Sequence, residues 1–393
     1  MRAVLIAALY LTLGAALFGA TEPVLSTGFD HFYNLEYDQA VSDFTAETAA
    51  RPQDPEAWNH LAQAILYRAM FHNGALESEL FGGTNPFYHR QKLNMPADAE
   101  QQFSAAINQA MERSQVLLSQ NPKDTEALYA SGVAYGLRAN YSFLFRKAWI
   151  DSLRDVTSAR KIHAKLIAID PNNMDAHLVQ GIHDYVVGSL SWRYRVLGLL
   201  AGFHGDKEGG VRTLQSVAAN GKQNNVDAKI ILTAIYRREK RSQDAVPLLD
   251  DLVARFPRNP LLRFELAQVY TDTGSKEKAL AEIAAIRERK QNGAPGFERV
   301  TEEKIEYVTG NLLFQQRDLN GALDHMQKAT TNSAALDPNT RILSWMRLGQ
   351  IHDLRGERGQ ALAAYKEAVD CAPQSDLAKE SRAYMTSPYH RKS

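Results

Sequence analysis

The chain has almost no cysteine: Cys371 is the only one in 393 residues. That excludes an intrachain disulfide and any metal site built from several cysteines. It has no net charge, with 45 Lys and Arg against 45 Asp and Glu, so the basic surplus typical of nucleic-acid binders is missing and no nucleic-acid partner is expected. The 24 Gly and 14 Pro are too few for a collagen-like chain, and a 45% hydrophobic content excludes a wholly disordered one. Signatures of catalysis are missing too. There is no His-Glu-x-x-His pair and no Gly-x-Ser-x-Gly elbow, and Gly202-x-x-Gly205-Asp206-Lys207 follows no strand and fits neither phosphate-binding fingerprint. Asp206 there reads as an N-cap closing a glycine turn. These absences point away from an enzyme, a cofactor and a metal.

Only one long apolar run is present. Met1-Arg2 precede an apolar, uncharged run from Ala3 to Phe18, followed by Gly19-Ala20. A positive start and a short apolar segment make the secretory pattern, and the run is short for a membrane-spanning helix, which needs about 20 residues. Residues 1–20 are therefore expected to be a signal peptide leading to the periplasm or the exterior, or else an uncleaved N-terminal anchor.

What the sequence does have is repetition. Near the C-terminus, Trp345, Leu348-Gly349, His352, Gly356, Ala361, Tyr365, Ala368 and Pro373 fall at the spacing of two helices joined by a turn. Leu348 and His352 share one face at i, i+4. Gly349 and Ala361 are small where two helix backbones must approach, Tyr365 fills the gap beside them, and Pro373 stops the second helix. The template recurs with Gly28, Ala40 and Phe44, with Gly132, Ala159 and His163, with Gly181, Gly210 and Leu214, and with Gly310, Ala322 and Met326. On these residues the chain resembles the tetratricopeptide-repeat family. The resemblance implies an all-α solenoid of about eight helix-turn-helix repeats, three of them with long insertions.

The repeats are expected at 21–54, 55–124, 125–173, 174–225, 226–259, 260–293, 303–336 and 342–375, with 376–393 as a capping helix and tail. The insertions fall at 68–103, 138–155 and 188–206. His31, His163, His177 and His352 occupy core positions, where they are expected to replace aromatic residues, and Cys371 reads as a buried structural thiol.

In the third insertion Trp192, Arg193, Tyr194 and Arg195 lead into an apolar stretch ending at Phe203. Together with Trp149 of the second insertion, they suit contact with a membrane surface or a partner. The alternative is that these residues pack back onto the solenoid. Gly181-Ile182-His183-Asp184-Tyr185, Gly188-Ser189-Leu190 and the run Gly202 to Gly210 resemble the tetratricopeptide-repeat-39 / inclusion-body-clearance family, which implies a non-catalytic adaptor. Charge is uneven along the chain: residues 1–137 hold 7 basic and 15 acidic side chains, whereas 138–241 hold 17 and 9. The basic middle would attract anionic lipid or an acidic peptide, or else complement the acidic N-terminal repeats.

The family resemblance also implies that the first helix of each repeat lines a concave face, with its positions 2, 5, 9 and 12 pointing inward. Those positions include Phe29 and Phe32, Asn59 and Gln63, Tyr129, Tyr185, Arg237, Phe264 and Gln268, Tyr307, Asn311 and Phe314, and Gln350. Amides can pair the backbone of an extended peptide while aromatic rings hold its side chains. The expected partner is therefore a protein or peptide. Asn59 lacks the lysine that would complete the family's carboxylate clamp.

Overall fold

The structure is a computed structural model that describes residues 22–76, 92–190 and 205–391. Among these are seventeen α-helices and no strand. The helices pair as successive hairpins: α1 (Glu22–Tyr33) with α2 (Tyr37–Ala50), α3 (Pro55–His72) with α4 (Ala97–Gln120), α5 (Thr125–Tyr141) with α6 (Trp149–Ile169), and α7 (His177–Gly188) with α8 (Lys207–Asn220). The series continues with α9 (Asn225–Arg238) and α10 (Ser242–Arg255), α11 (Pro260–Asp272) and α12 (Lys276–Gln291), α13 (Glu302–Gln315) and α14 (Leu319–Thr331), and α15 (Pro338–Leu354) and α16 (Arg358–Cys371). Helix α17 (Asp376–Thr386) closes the C-terminal end against α16. The expected signal segment lies outside the described residues, and no described helix is long and apolar enough to cross a membrane.

Local sequence sets the hairpin geometry. Pro55, Pro260 and Pro338 open their helices, each following a residue (Asp54, Asn259, Asp337) whose side chain accepts a first-turn amide. Proline is pre-shaped for that position and gives up only an amide that has no intrahelical partner. Between the paired helices of the fifth to eighth hairpins the backbone turns through a left-handed residue: Lys240, Gly274, Arg317 and Gly356. Glycine suits that conformation, whereas Lys240 and Arg317 accept strain there.

The hairpins close where a glycine of the first helix lies beneath a large side chain of the second. A Cβ on Gly349 would stand 2.5 Å from the Tyr365 ring, and one on Gly28 2.6 Å from Phe44. Gly310 meets Met326 and Gly132 meets His163 in the same way. Phe44 and Tyr365 are fully buried at these crossings. In the fourth hairpin the contact is tighter: added Cβ atoms on Gly188, Gly205 and Gly210 would all run into backbone of the facing helix or its flanking turn. The glycine string around residues 181–210 is thus the close crossing of α7 and α8. Asp206 sits at the N-cap of α8 but its carboxylate makes no cap hydrogen bond; its backbone carbonyl accepts from Gly210 instead.

The histidines differ from one another. His163 does take an aromatic position: its Nδ1 donates to the Ala176 carbonyl at 3.1 Å, and its Nε2 is buried with no partner. His31 and His352 instead face carboxylates, Asp43 and Glu357, each at 2.7 Å. Cys371 is half-buried rather than sealed in the core, and burial raises its thiol pKa.

The stretch 138–155 is not a loop. Helix α5 runs on to Tyr141, a π-helical turn covers Ser142–Arg146, and α6 starts at Trp149 after a left-handed Lys147. Tyr141 and Phe145 are buried and stack at 6.1 Å, with Phe103 of α4 against Tyr141. Those apolar contacts make a longer hairpin more favourable than a projecting loop. Of the third insertion, residues 191–204, including Trp192, Arg193, Tyr194 and Arg195, lie outside the described residues.

Two outcomes follow from these crossings. Gly349→Ala is expected to lose about 1–3 kcal/mol in urea unfolding, because the Tyr365 ring has to move. Burial holds His163 down to about 4 against the ordinary 6.5, partly offset by its bond to Ala176. Between those values the unfolded chain takes up a proton that the native state refuses, so stability present above pH 6.5 falls as pH drops toward 4. His163→Phe, sized like Phe44 in the first hairpin, is expected to remove about 2–3 kcal/mol of that pH dependence when unfolding midpoints at pH 7 and 4.5 are compared.

Candidate binding site

The superhelix winds far enough for its first hairpin to meet the fifth and sixth, and its second the eighth. Between α10 and α11, Arg258 donates to both carboxylate oxygens of Glu36 at 2.8 and 2.9 Å and to Asp30 at 2.6 Å. This fork-shaped, charge-assisted contact fixes orientation as well as distance. Next to it, Asn259 donates to the Tyr33 carbonyl at 2.7 Å, the Asn34 side chain accepts from the Arg258 amide at 2.9 Å, and the Tyr33 ring packs on Phe256 at 5.0 Å. Farther along, Asn339 at the start of α15 donates to the Asn73 carbonyl at 3.0 Å. The acidic N-terminal repeat is thus held by Arg258, outside the basic stretch 138–241.

Closure leaves a cavity of about 170 Å³ between the two arms. One wall is Phe32, Tyr33 and Tyr37 of the first hairpin with Tyr67 of α3. The other is the concave face of α9, α11 and α13, including Asp227, Ile230, Leu262, Phe264, Gln268, Lys304 and Tyr307. Ile230 is 43% exposed and forms an open rim, while Tyr307 is 2% exposed and forms the floor.

Asp227 is the polar centre of this space. It sits in the first turn of α9 and is half-buried. Burial pushes its carboxyl up to about 6, although the nearby Tyr33 hydroxyl favours the charged form. Burial and then the Asp227 charge in turn raise the Tyr33 and Tyr67 hydroxyls; for Tyr37 burial leads, followed by Tyr67 and Asp227. No cationic side chain is paired with Asp227 among the described residues.

The residues expected to line a groove separate into groups. Phe264, Gln268 and Tyr307 share the cavity wall, and Asn311 donates to Gln268 at 3.5 Å from the next turn of α13. Arg237 pairs with Glu265 at 2.9 Å and Asp272 at 2.8 Å; burial opposes its charge, but the two carboxylates outweigh it and raise its pKa. Phe314 is covered by two guanidinium groups, Arg347 at 4.3 Å and Arg391 of the tail at 4.6 Å. Asn59 donates to the Ala130 carbonyl at 2.8 Å between α3 and α5, while its neighbour Gln63 is half-buried. The Tyr129 hydroxyl accepts from Asn224 at 2.9 Å. Tyr185 donates to Glu239 at 3.0 Å, and burial followed by that bond pushes its hydroxyl up to about 12. These last residues lie on seams between repeats. Trp149 is 39% exposed and begins an apolar stripe on α6 with Ile150 and Leu153, exposed at 73% and 55%.

Asp227 and Ile230 were within reach of the position rule. In a repeat spanning 226–259 they stand at positions 2 and 5, with Arg237 at position 12. Tyr33, Tyr37 and Tyr67 carry no such mark, because the closing of the superhelix brings them in.

An all-α solenoid of helical hairpins, with a cavity on its concave side, is the class of protein these features define. Models of the tetratricopeptide repeat match residues 28–69 and 307–376, and a second model of the same repeat matches 236–296. The fold is therefore a solenoid of tetratricopeptide repeats. Solved structures similar to the chain include the APC/C hetero-tetramer Cut9–Hcn1 (12% identity, 92% of this chain and 55% of that chain, TM-score 0.49). Others are yeast Tom70 (13%, 92% and 87%, TM-score 0.41) and YrrB, a TPR protein with an unusual peptide-binding site (14%, 69% and 97%, TM-score 0.30). The chain thus spans about half the length of the Cut9–Hcn1 chain it matches. No curated protein sequence matches it.

Asp227 makes a signed prediction. Its folded pKa of about 6 exceeds the ordinary 3.8, so between those values the native state holds a proton that the unfolded chain releases. The ionised carboxylate therefore costs stability above pH 6, and the cost fades as pH falls toward 4. Asp227→Asn keeps an acceptor for Tyr33. It is expected to stabilise the chain by about 1–2 kcal/mol at pH 7.5, allowing for residual solvent screening. Near pH 4 no gain is expected, with urea midpoints at the two pH values as the check.

Proposed function

We propose that the chain is a non-enzymatic scaffold or adaptor that binds protein or peptide partners, acting outside the cytoplasm in the assembly of cell-envelope complexes. One observation carries the binding reading: the concave faces of α9, α11 and α13 converge on a cavity with an open rim, lined by aromatic rings, an amide and a carboxylate. Such a lining can hold peptide side chains while polar groups fix their direction. Repeat solenoids of this kind are typical protein-binding surfaces. Export rests on the apolar leader at residues 1–20, and the central resemblance to the inclusion-body-clearance family adds the adaptor role without contributing catalytic residues.

The test is crosslinking in the native host. A photoreactive side chain in place of Ile230, on the cavity rim, is expected to trap one or a few discrete envelope proteins. The same group in place of Gln327, exposed on α14, is expected to trap none of them. Identical crosslinking profiles from the two sites would contradict binding through this cavity, and purely cytoplasmic partners would contradict export.

A further inference from the structure

A carboxylate inside an aromatic cavity needs a counter-charge, and among the described residues none is paired with Asp227. The other charged groups of the lining are already engaged. Glu265 of α11 is paired with Arg237 at 2.9 Å. Lys304 of α13 donates to Thr340 at 2.7 Å and lies 3.6 Å from Asp337. The titratable groups facing Asp227 from the opposite wall are Tyr33, Tyr37 and Tyr67, which stay neutral. From α5, Tyr129 approaches as well, with Glu56 and Asp175 behind it adding negative rather than positive charge. Being in the first turn of α9 favours the charge through the helix dipole, yet burial still dominates at this residue.

We infer that the cavity seats an alkylammonium group, the lysine side chain of a bound peptide, with its ammonium against Asp227 and the tyrosine rings and its stem along Ile230, Leu262 and Phe264. A lysine is apolar along its stem and charged at its tip, which matches this lining end to end. Tyrosine faces attract a cation more strongly once water is displaced, and the ammonium supplies the partner whose absence makes an enclosed charge costly. A carboxylate or phosphate ligand would meet the Asp227 charge instead. The inference deepens the peptide-binding reading above and rests on it for the source of the amine.

The probes are n-pentylammonium, n-pentanol and n-pentanoate, titrated into the full chain by calorimetry at pH 7.5 and 5.0. Pentylammonium alone is expected to bind, about tenfold more weakly at pH 5.0 because Asp227 is then mostly protonated. Asp227→Asn is expected to abolish that binding while raising the Tm of the unliganded protein at pH 7.5. A residue serving only structure would lower the Tm instead. Ile230→Lys, which places an ammonium one turn from Asp227, is expected to block the site from within and serves as the second variant. Pentanol binding as tightly as pentylammonium, or unchanged binding by Asp227→Asn, would overturn the inference.

A second arm uses acetyl-Ala-Ala-Lys-Ala-Ala-amide and its norleucine analogue. Preference for the lysine peptide supports both readings. Amine binding with neither peptide bound upholds the cation site and removes the peptide as its source. Equal binding of both peptides with no amine binding upholds the peptide reading and overturns this one.

Discussion

Everything in this fold depends on how closely two helices can cross. Where Gly28, Gly132, Gly310 and Gly349 present only a hydrogen, a ring or thioether from the second helix lies directly on the first. The side chain there sets how closely the two helices of that hairpin approach. Small errors would accumulate along the series, so the tight crossings of the first, third, fourth, seventh and eighth hairpins help make the superhelical path definite. The cost falls on a few residues. His163 is buried with an unpartnered nitrogen, and Lys240 and Arg317 adopt a conformation that glycine takes more easily.

The path matters because it returns the first hairpin to the fifth and sixth. An open solenoid would offer its concave positions to solvent as a continuous groove. Here Arg258, Asn259 and Phe256 hold the Tyr33 end of α1, and the groove becomes a cavity with one open rim. Asp227 then loses most of its water while keeping its charge near neutral pH, and the tyrosines around it come from three different helices. Asp227 and His163 are shifted in the same acid window with opposite effects on stability, so their two contributions offset each other.

The repeat architecture was legible because its determinants are local. Gly349, Ala361 and Tyr365 satisfy a spacing rule within one hairpin, and the same rule picks out Gly28 and Phe44 some three hundred residues earlier. The second insertion is legible in the long gap between Gly132 and its partners Ala159 and His163, but burial of Tyr141 and Phe145 against α4 makes it extra helix. The candidate site was only half legible. Phe264, Gln268 and Tyr307 lie at inward positions of their own repeats, and Asp227 obeys the same rule. Of the opposite wall, Phe32 stands at an inward position, whereas Tyr33, Tyr37 and Tyr67 could not be read, because contact between Tyr33 and residues more than two hundred positions away depends on the summed curvature of every hairpin between them.

The central claim is closure, and one distance tests it. Gln39 on α2 and Glu298 in the turn before α13 are both exposed and border the same recess between the arms. Spin labels at these two positions, read by pulsed dipolar spectroscopy, are predicted to give one short and narrow distance distribution. A long or broad distribution would mean an open solenoid, and the cavity described here would not exist in solution.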